Sequence, residues 1–148
     1  MATPYDTLLV ISGDNGDIIA AYSARGLTQT LDPIGAASVM ARTVNGALVD
    51  LSPAQMRKYK SQITCTDLEA PALDAVWPGM VVTVDCVAEL GFLTAGGAAQ
   101  RPVVPGSDRV AGAWSFYRPR LDMRVTEYTV SRDEYGHMSE WSLSLEEL

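Results

Sequence analysis

The chain has 148 residues, a mass of 15.9 kDa, 47% hydrophobic residues and 20% charged ones. That is enough apolar material for one conventional core and too much for a disordered chain. A net charge of -7 and a pI near 4.5 exclude the cationic footprint of a nonspecific nucleic-acid binder or of a protein held on anionic membranes. The apolar runs Leu8–Ile11 and Ile18–Tyr22 are far shorter than the ~20 residues of a membrane span, and no secretory signal is expected.

The N-terminal part reads as a hairpin. Leu8–Ser12 and Ile18–Tyr22 flank Gly13-Asp14-Asn15-Gly16, which is dense turn chemistry. Arg25–Leu31 is expected as a third strand, ended by Asp32-Pro33. Ile34–Arg42 does not separate a helical stripe from a loop. Asn45-Gly46 is a strong hairpin signal, with Thr43-Val44 and Leu48-Val49 placed to pair around it. Ser52-Pro53-Ala54-Gln55 carries a helix-start pattern of cap, first-turn proline and reciprocal glutamine. Arg57, Lys58 and Lys60 beyond it form a local basic cluster, which reads first as a solvated helix face.

Gln62–Asp67 and Met80–Leu90 are the next strands. The second is apolar on both sides around Val84 and is expected to be central and covered on each face. The connector holds Pro71, Trp77 and Pro78. Gly91–Gly106 has no periodic pattern and is expected as a long flexible loop. Arg109–Tyr117, Leu121–Ser131 and Met138–Leu145 read as strands, with Asp133-Glu134-Tyr135-Gly136 as a turn. The expected class is mainly β, a β-sandwich or partly closed β-barrel of eight to ten strands with one or two short helices, in a single domain over 1–148.

Catalytic chemistry finds little support. Asp14 with Asp17, Asp133 with Glu134, and Glu146 with Glu147 are close pairs in sequence, as turns and chain ends often carry. Asp14, Asn15 and Asp17 lack the twelve-residue calcium loop. His137 has no partner suggesting a triad, and Gly96-Gly97 lacks the phosphate-loop spacing. Two cysteines and one histidine do not make a structural zinc site. No cofactor, metal or catalytic residue is expected. A hairpin centred between Ala75 and Val76 would set Cys65 opposite Cys86, so a cross-strand disulfide is conceivable. Two reduced core thiols are the favoured alternative. Phe116-Tyr117-Arg118-Pro119-Arg120 joins aromatics to arginines. In an acidic chain this favours a protein interface over a nucleic-acid surface.

Tyr22-Ser23-Ala24-Arg25-Gly26-Leu27-Thr28-Gln29-Thr30-Leu31 resembles a segment of small structural proteins of tailed bacteriophages. So do Arg57-Lys58-Tyr59-Lys60-Ser61 running into Ile63-Thr64-Cys65-Thr66-Asp67, Trp77-Pro78-Gly79-Met80, the run from Phe116 to Leu121, and Trp141-Ser142-Leu143. The resemblance implies a non-enzymatic virion protein of the tail or neck, made in the host cytoplasm. It also implies self-association into a ring as tube, terminator or distal-tail and hub component, beside neighbouring tail or neck proteins. A capsid decoration or receptor-binding adhesin domain is the alternative, and a small cell-wall hydrolase ranks last. It brings no catalytic residues. Long loops and terminal arms are the expected adhesive parts, here Gly91–Gly106 and Met1–Thr7. The candidate interface residues are Phe92, Leu93, Val103, Val104, Phe116, Tyr117, Arg118 and Arg120.

Overall fold

The computed structural model describes residues 8–14, 16–18, 26–35, 39–67, 69–74, 76–136 and 138–148. The N-terminal arm, most of the returning strand Ile18–Tyr22, the start of the third strand and His137 lie outside them. The fold is mainly β, with twelve described strands and a single described 3₁₀ turn at Ala54–Met56.

Seven strands form one antiparallel sheet. They are β1 (Val10–Gly13), β2 (Gly16–Asp17), β3 (Thr28–Pro33), β6 (Tyr59–Asp67), β7 (Val81–Asp85), β11 (Arg120–Ser131) and β12 (Ser139–Glu147). Their spatial order is β2-β1-β7-β11-β12-β6-β3. A second sheet has β10 (Trp114–Tyr117) between β8 (Leu90–Leu93) and β9 (Arg109–Ala111). The pair β4 (Met40–Arg42) and β5 (Leu48–Asp50) stands alone as a two-stranded ribbon.

Period-two alternation builds the core. Ile63 and Cys65 on β6, Trp141, Leu143 and Leu145 on β12, Leu121, Met123 and Val125 on β11, and Val82 and Val84 on β7 all point to one face and are buried. Leu73, Val76 and Ile18 pack against the same cluster. The sheet curls without closing. Edge strand β3 reaches the far end of β7 through Gln29, whose Oε1 accepts the Val87 N–H at 2.7 Å and the Ala88 N–H at 3.3 Å. No ladder joins β2 to β3, so the described strands form no closed barrel. Thr126 is the extra residue of a bulge between Val125 and Glu127. It tightens the local twist and bonds the Ser144 carbonyl at 3.0 Å.

Several expectations need correction. The Met80–Leu90 strand is central, with β1 and β11 on its flanks, but it ends at Asp85 and buries only one face. Val81 is exposed, and Asp85 faces outward to hold Arg120. Leu90 starts β8 in the other sheet. β3 runs two residues past Leu31 and ends at Pro33, which is tolerated because an edge strand needs no donor there. The connector after Asp67 does not close a hairpin. The neighbours of β6 are β3 and β12, so Cys65 faces Trp141, and Cys65 and Cys86 are both free and buried. The helix-start pattern gives one 3₁₀ turn without a side-chain cap. The Ser52 hydroxyl instead accepts the Val39 N–H at 2.6 Å.

Candidate assembly surfaces

The β4–β5 ribbon is the first surface. Its strands pair Met40 with Asp50, Ala41 with Val49 and Arg42 with Leu48. The turn is closed by the Gly46 N–H on the Thr43 carbonyl at 2.9 Å. Gly46 follows at φ 83, a left-handed position that favours glycine. Thr43 therefore faces Ala47, one position from the register that a tight Asn-Gly turn would set.

Every residue from Val39 to Leu51 is exposed. Val39, Met40, Val44, Leu48, Val49 and Leu51 are thus large apolar side chains in water, and Val44 is as open as in an extended chain, at 106%. A lone two-stranded ribbon is at best marginally stable in water. This one keeps its apolar groups out of its own core.

The root of this arm is fastened tightly. The Ile34 N–H bonds the Lys58 carbonyl at 2.9 Å. Arg57 lies 3.9 Å from Asp50 across the ribbon base. The Ser52 N–H donates to the Asp50 carboxylate at 2.9 Å, and its backbone and side-chain hydrogen bonds, with Arg57 nearby, hold that carboxyl below its ordinary range. Behind the root, Arg101 forks onto Glu147 at 2.7 and 3.2 Å and donates to the Arg57 carbonyl at 2.8 Å. Glu147 also accepts the Tyr59 N–H at 2.9 Å, and the guanidinium lies 5.4 Å from the Tyr59 ring centre. One side chain thereby joins the 91–106 segment, the arm root and the end of β12. The hydrogen bond to Glu147 raises the Arg101 pKa.

The second surface is the small sheet. Trp114 pairs with Leu93 on one side and Ala111 on the other. Trp114 and Leu93 are about half exposed, and Val110 on the opposite face is 68% exposed. Arg109 stacks over the Phe116 ring at 4.5 Å and pairs with Glu89 at 3.1 Å. That pairing lowers the Glu89 pKa.

The eight residues expected at an interface are spread across this region. Leu93 and Val103 are exposed, and Arg120 is exposed but held by Asp85 at 2.6 and 3.0 Å. Phe92, Phe116 and Arg118 are half-buried. The Phe92 ring packs 6.1 Å from Tyr117, and Arg118 donates to the Leu8 carbonyl at 3.2 Å. Tyr117 and Val104 are buried within their own chain. The second half of the expected loop is tied to the 118–120 connection. Val104 N–H bonds the Arg118 carbonyl at 2.9 Å, and Arg120 N–H bonds the Pro102 carbonyl at 2.8 Å. Its first half contains β8 and the turn at Gly96 and Gly97. A Cβ on Gly97 would sit 2.3 Å from the Leu93 carbonyl oxygen.

The exposure of Trp114 and of the ribbon was missed by reading the sequence. Isolated apolar residues in a short strand look like core until the pairing shows which face is open.

Among the described residues no group of three or more His, Cys, Asp or Glu side chains is placed to hold a metal ion. No described helix is long and apolar enough to cross a membrane. Burial pushes the Cys86 thiol up to about 11 and the Cys65 thiol in the same direction, which disfavours the nucleophilic thiolate.

No protein-family description matches the chain, and no curated protein matches it. Among solved structures, a chain of the "Virion of native gene transfer agent (GTA) particle" aligns with a TM-score of 0.47 and 10% identity. The alignment covers 95% of this chain and 91% of that one.

Proposed function

We propose that the protein is a non-enzymatic structural subunit of a phage-like virion, and that it works by self-association into a ring of the tail or neck. The observation that carries the assembly part is the 39–51 arm. It is an apolar ribbon tied at its root by hydrogen bonds and wholly exposed along its length. A monomer has no use for six large apolar side chains left in water on one ribbon, and exposed apolar surface of this kind marks contact sites. The virion setting is supported by the resemblance of the segments quoted above to phage structural proteins. The acidic balance suits a ring whose lumen passes DNA without holding it. Leu93, Val103 and Trp114 offer further exposed contact area.

The test is the particle itself. Mass spectrometry of purified particles should find the chain in a fixed ratio to the other structural proteins. A ratio matching a few copies per layer supports a tail or neck ring, and a count in the hundreds would instead mean capsid decoration. Absence from particles would refute the reading.

A further inference from the structure

The geometry points to a head-to-tail contact between copies of this chain, in which the 39–51 arm of one copy docks on the β11–β12 turn of the next. The inference deepens the assembly reading above and rests on it.

Charge is the first argument. Along the sequence, Arg42, Arg57, Lys58 and Lys60 stand in the arm and its root with Asp50 between them, while Glu146 and Asp32 face Lys60 from the strands on either side. This stretch carries a surplus of three positive charges in a chain whose total is -7, so everything else carries about ten negative ones. The β11–β12 turn and the start of β12 have the opposite sign: Asp133, Glu134 and Glu140 against Arg132. It also has its own exposed apolar residues, with Tyr135 at 88%, Val130 at 44% and Met138 at 42%. An apolar ribbon with a basic flank thus meets an apolar turn with an acidic flank. Complementary potentials of this kind select partner and register.

Placement is the second argument. β6 begins at the arm root and pairs with β12 so that Lys60 faces Glu146 and Asp67 faces Ser139. The turn between β11 and β12 therefore lies at the other end of the sheet from the arm root. Nine residues of β6 at about 3.3 Å each put roughly 26 Å between the two ends. The arm is rooted at one end and the turn lies at the other, so the partner turn belongs to another copy. Two different patches at opposite ends make a heterologous contact, which closes into a ring or continues as a stack.

The experiment is pairwise cross-linking with the full chain. Val44→Cys and Tyr135→Cys variants are purified separately and then mixed under a mild oxidant. Cys65 and Cys86 are buried and stay silent. The expected result is a disulfide-linked dimer in the mixture and none in either variant alone. Circular dichroism melts equal to the parent chain confirm that both variants fold. In parallel, Arg42→Glu should abolish the concentration-dependent sedimentation of the parent chain, and a partner carrying Asp133→Lys and Glu134→Lys should restore it. Linkage of Val44→Cys to itself would overturn the inference in favour of an arm-to-arm contact. So would a parent chain that stays monomeric at every concentration, or Arg42→Glu without effect. A cross-link formed by a chain absent from particles would keep the contact and refute the virion reading. A chain present in particles with no cross-link would do the reverse.

Discussion

Replacing Arg101 by alanine should do more damage than its place in a loop suggests. Its guanidinium makes two charge-assisted bonds to Glu147 and one to the Arg57 carbonyl. The two side chains are only 20% and 9% exposed. Removing one partner of a buried pair costs about 3–5 kcal/mol, because the other charge stays desolvated. Two features reduce this. Glu147 keeps the Tyr59 N–H at 2.9 Å, and the exposed fifth of Arg101 lets water in once the side chain is gone. The low end, about 3 kcal/mol, is therefore expected. For a chain of 148 residues this lowers the Tm by roughly 10 °C, at about 2–4 °C per kcal/mol. Arg101→Lys keeps a charge but loses the fork and should fall between the two. Urea unfolding followed by circular dichroism measures the loss. A change under about 1 kcal/mol, in the range of a solvated surface pair, would refute the view that this side chain fastens arm root, loop and β12 together.

Three further outcomes are expected. Both thiols should resist alkylation in the native protein and react on unfolding. Because the folded state holds the Cys86 proton up to about 11 against 9.0 for an ordinary thiol, its contribution to stability is full below pH 9 and is lost as pH rises through 11. The slope is at most about 1.4 kcal/mol per pH unit, read from melts between pH 8 and 11; native labelling or a flat profile would contradict this. Gly97→Ala should cost about 1–3 kcal/mol, since its Cβ meets the backbone oxygen of Leu93 rather than a yielding side chain, and an unchanged melt would show that the turn relaxes freely. Gln29→Leu leaves the Val87 and Ala88 amides without their acceptor; about 2 kcal/mol should be lost, with faster hydrogen exchange at those two amides, and unchanged exchange would mean that the sheet is not curled through this residue.

The long strands were legible because alternation is a local signal. Trp141, Leu143 and Leu145 alternate with polar neighbours, and Asp133 to Gly136 is ordinary turn chemistry, so β11 and β12 emerge with nearly their true limits. Pairing partners are not local. The expected facing of Cys65 and Cys86 assumed that consecutive strands pair, whereas β12, more than seventy residues later, pairs with β6. The same limit hid the exposed ribbon. Met40, Leu48 and Val49 look like core residues in sequence, but no third strand among the described residues pairs with the ribbon, and they stand in water. The interface residues expected at 116–118 include Tyr117, whose aromatic ring serves its own core, because aromatics suit both settings. Arg101 and Glu147 carry no sequence signal that joins them across 46 positions.

A particle reconstruction that resolves this chain decides whether the ribbon is a subunit contact. Repeated copies in a closed layer are expected, with Val44 and Leu48 covered by a neighbouring copy. Copies whose 39–51 arm faces solvent, or particles in which the chain is missing, would contradict this expectation.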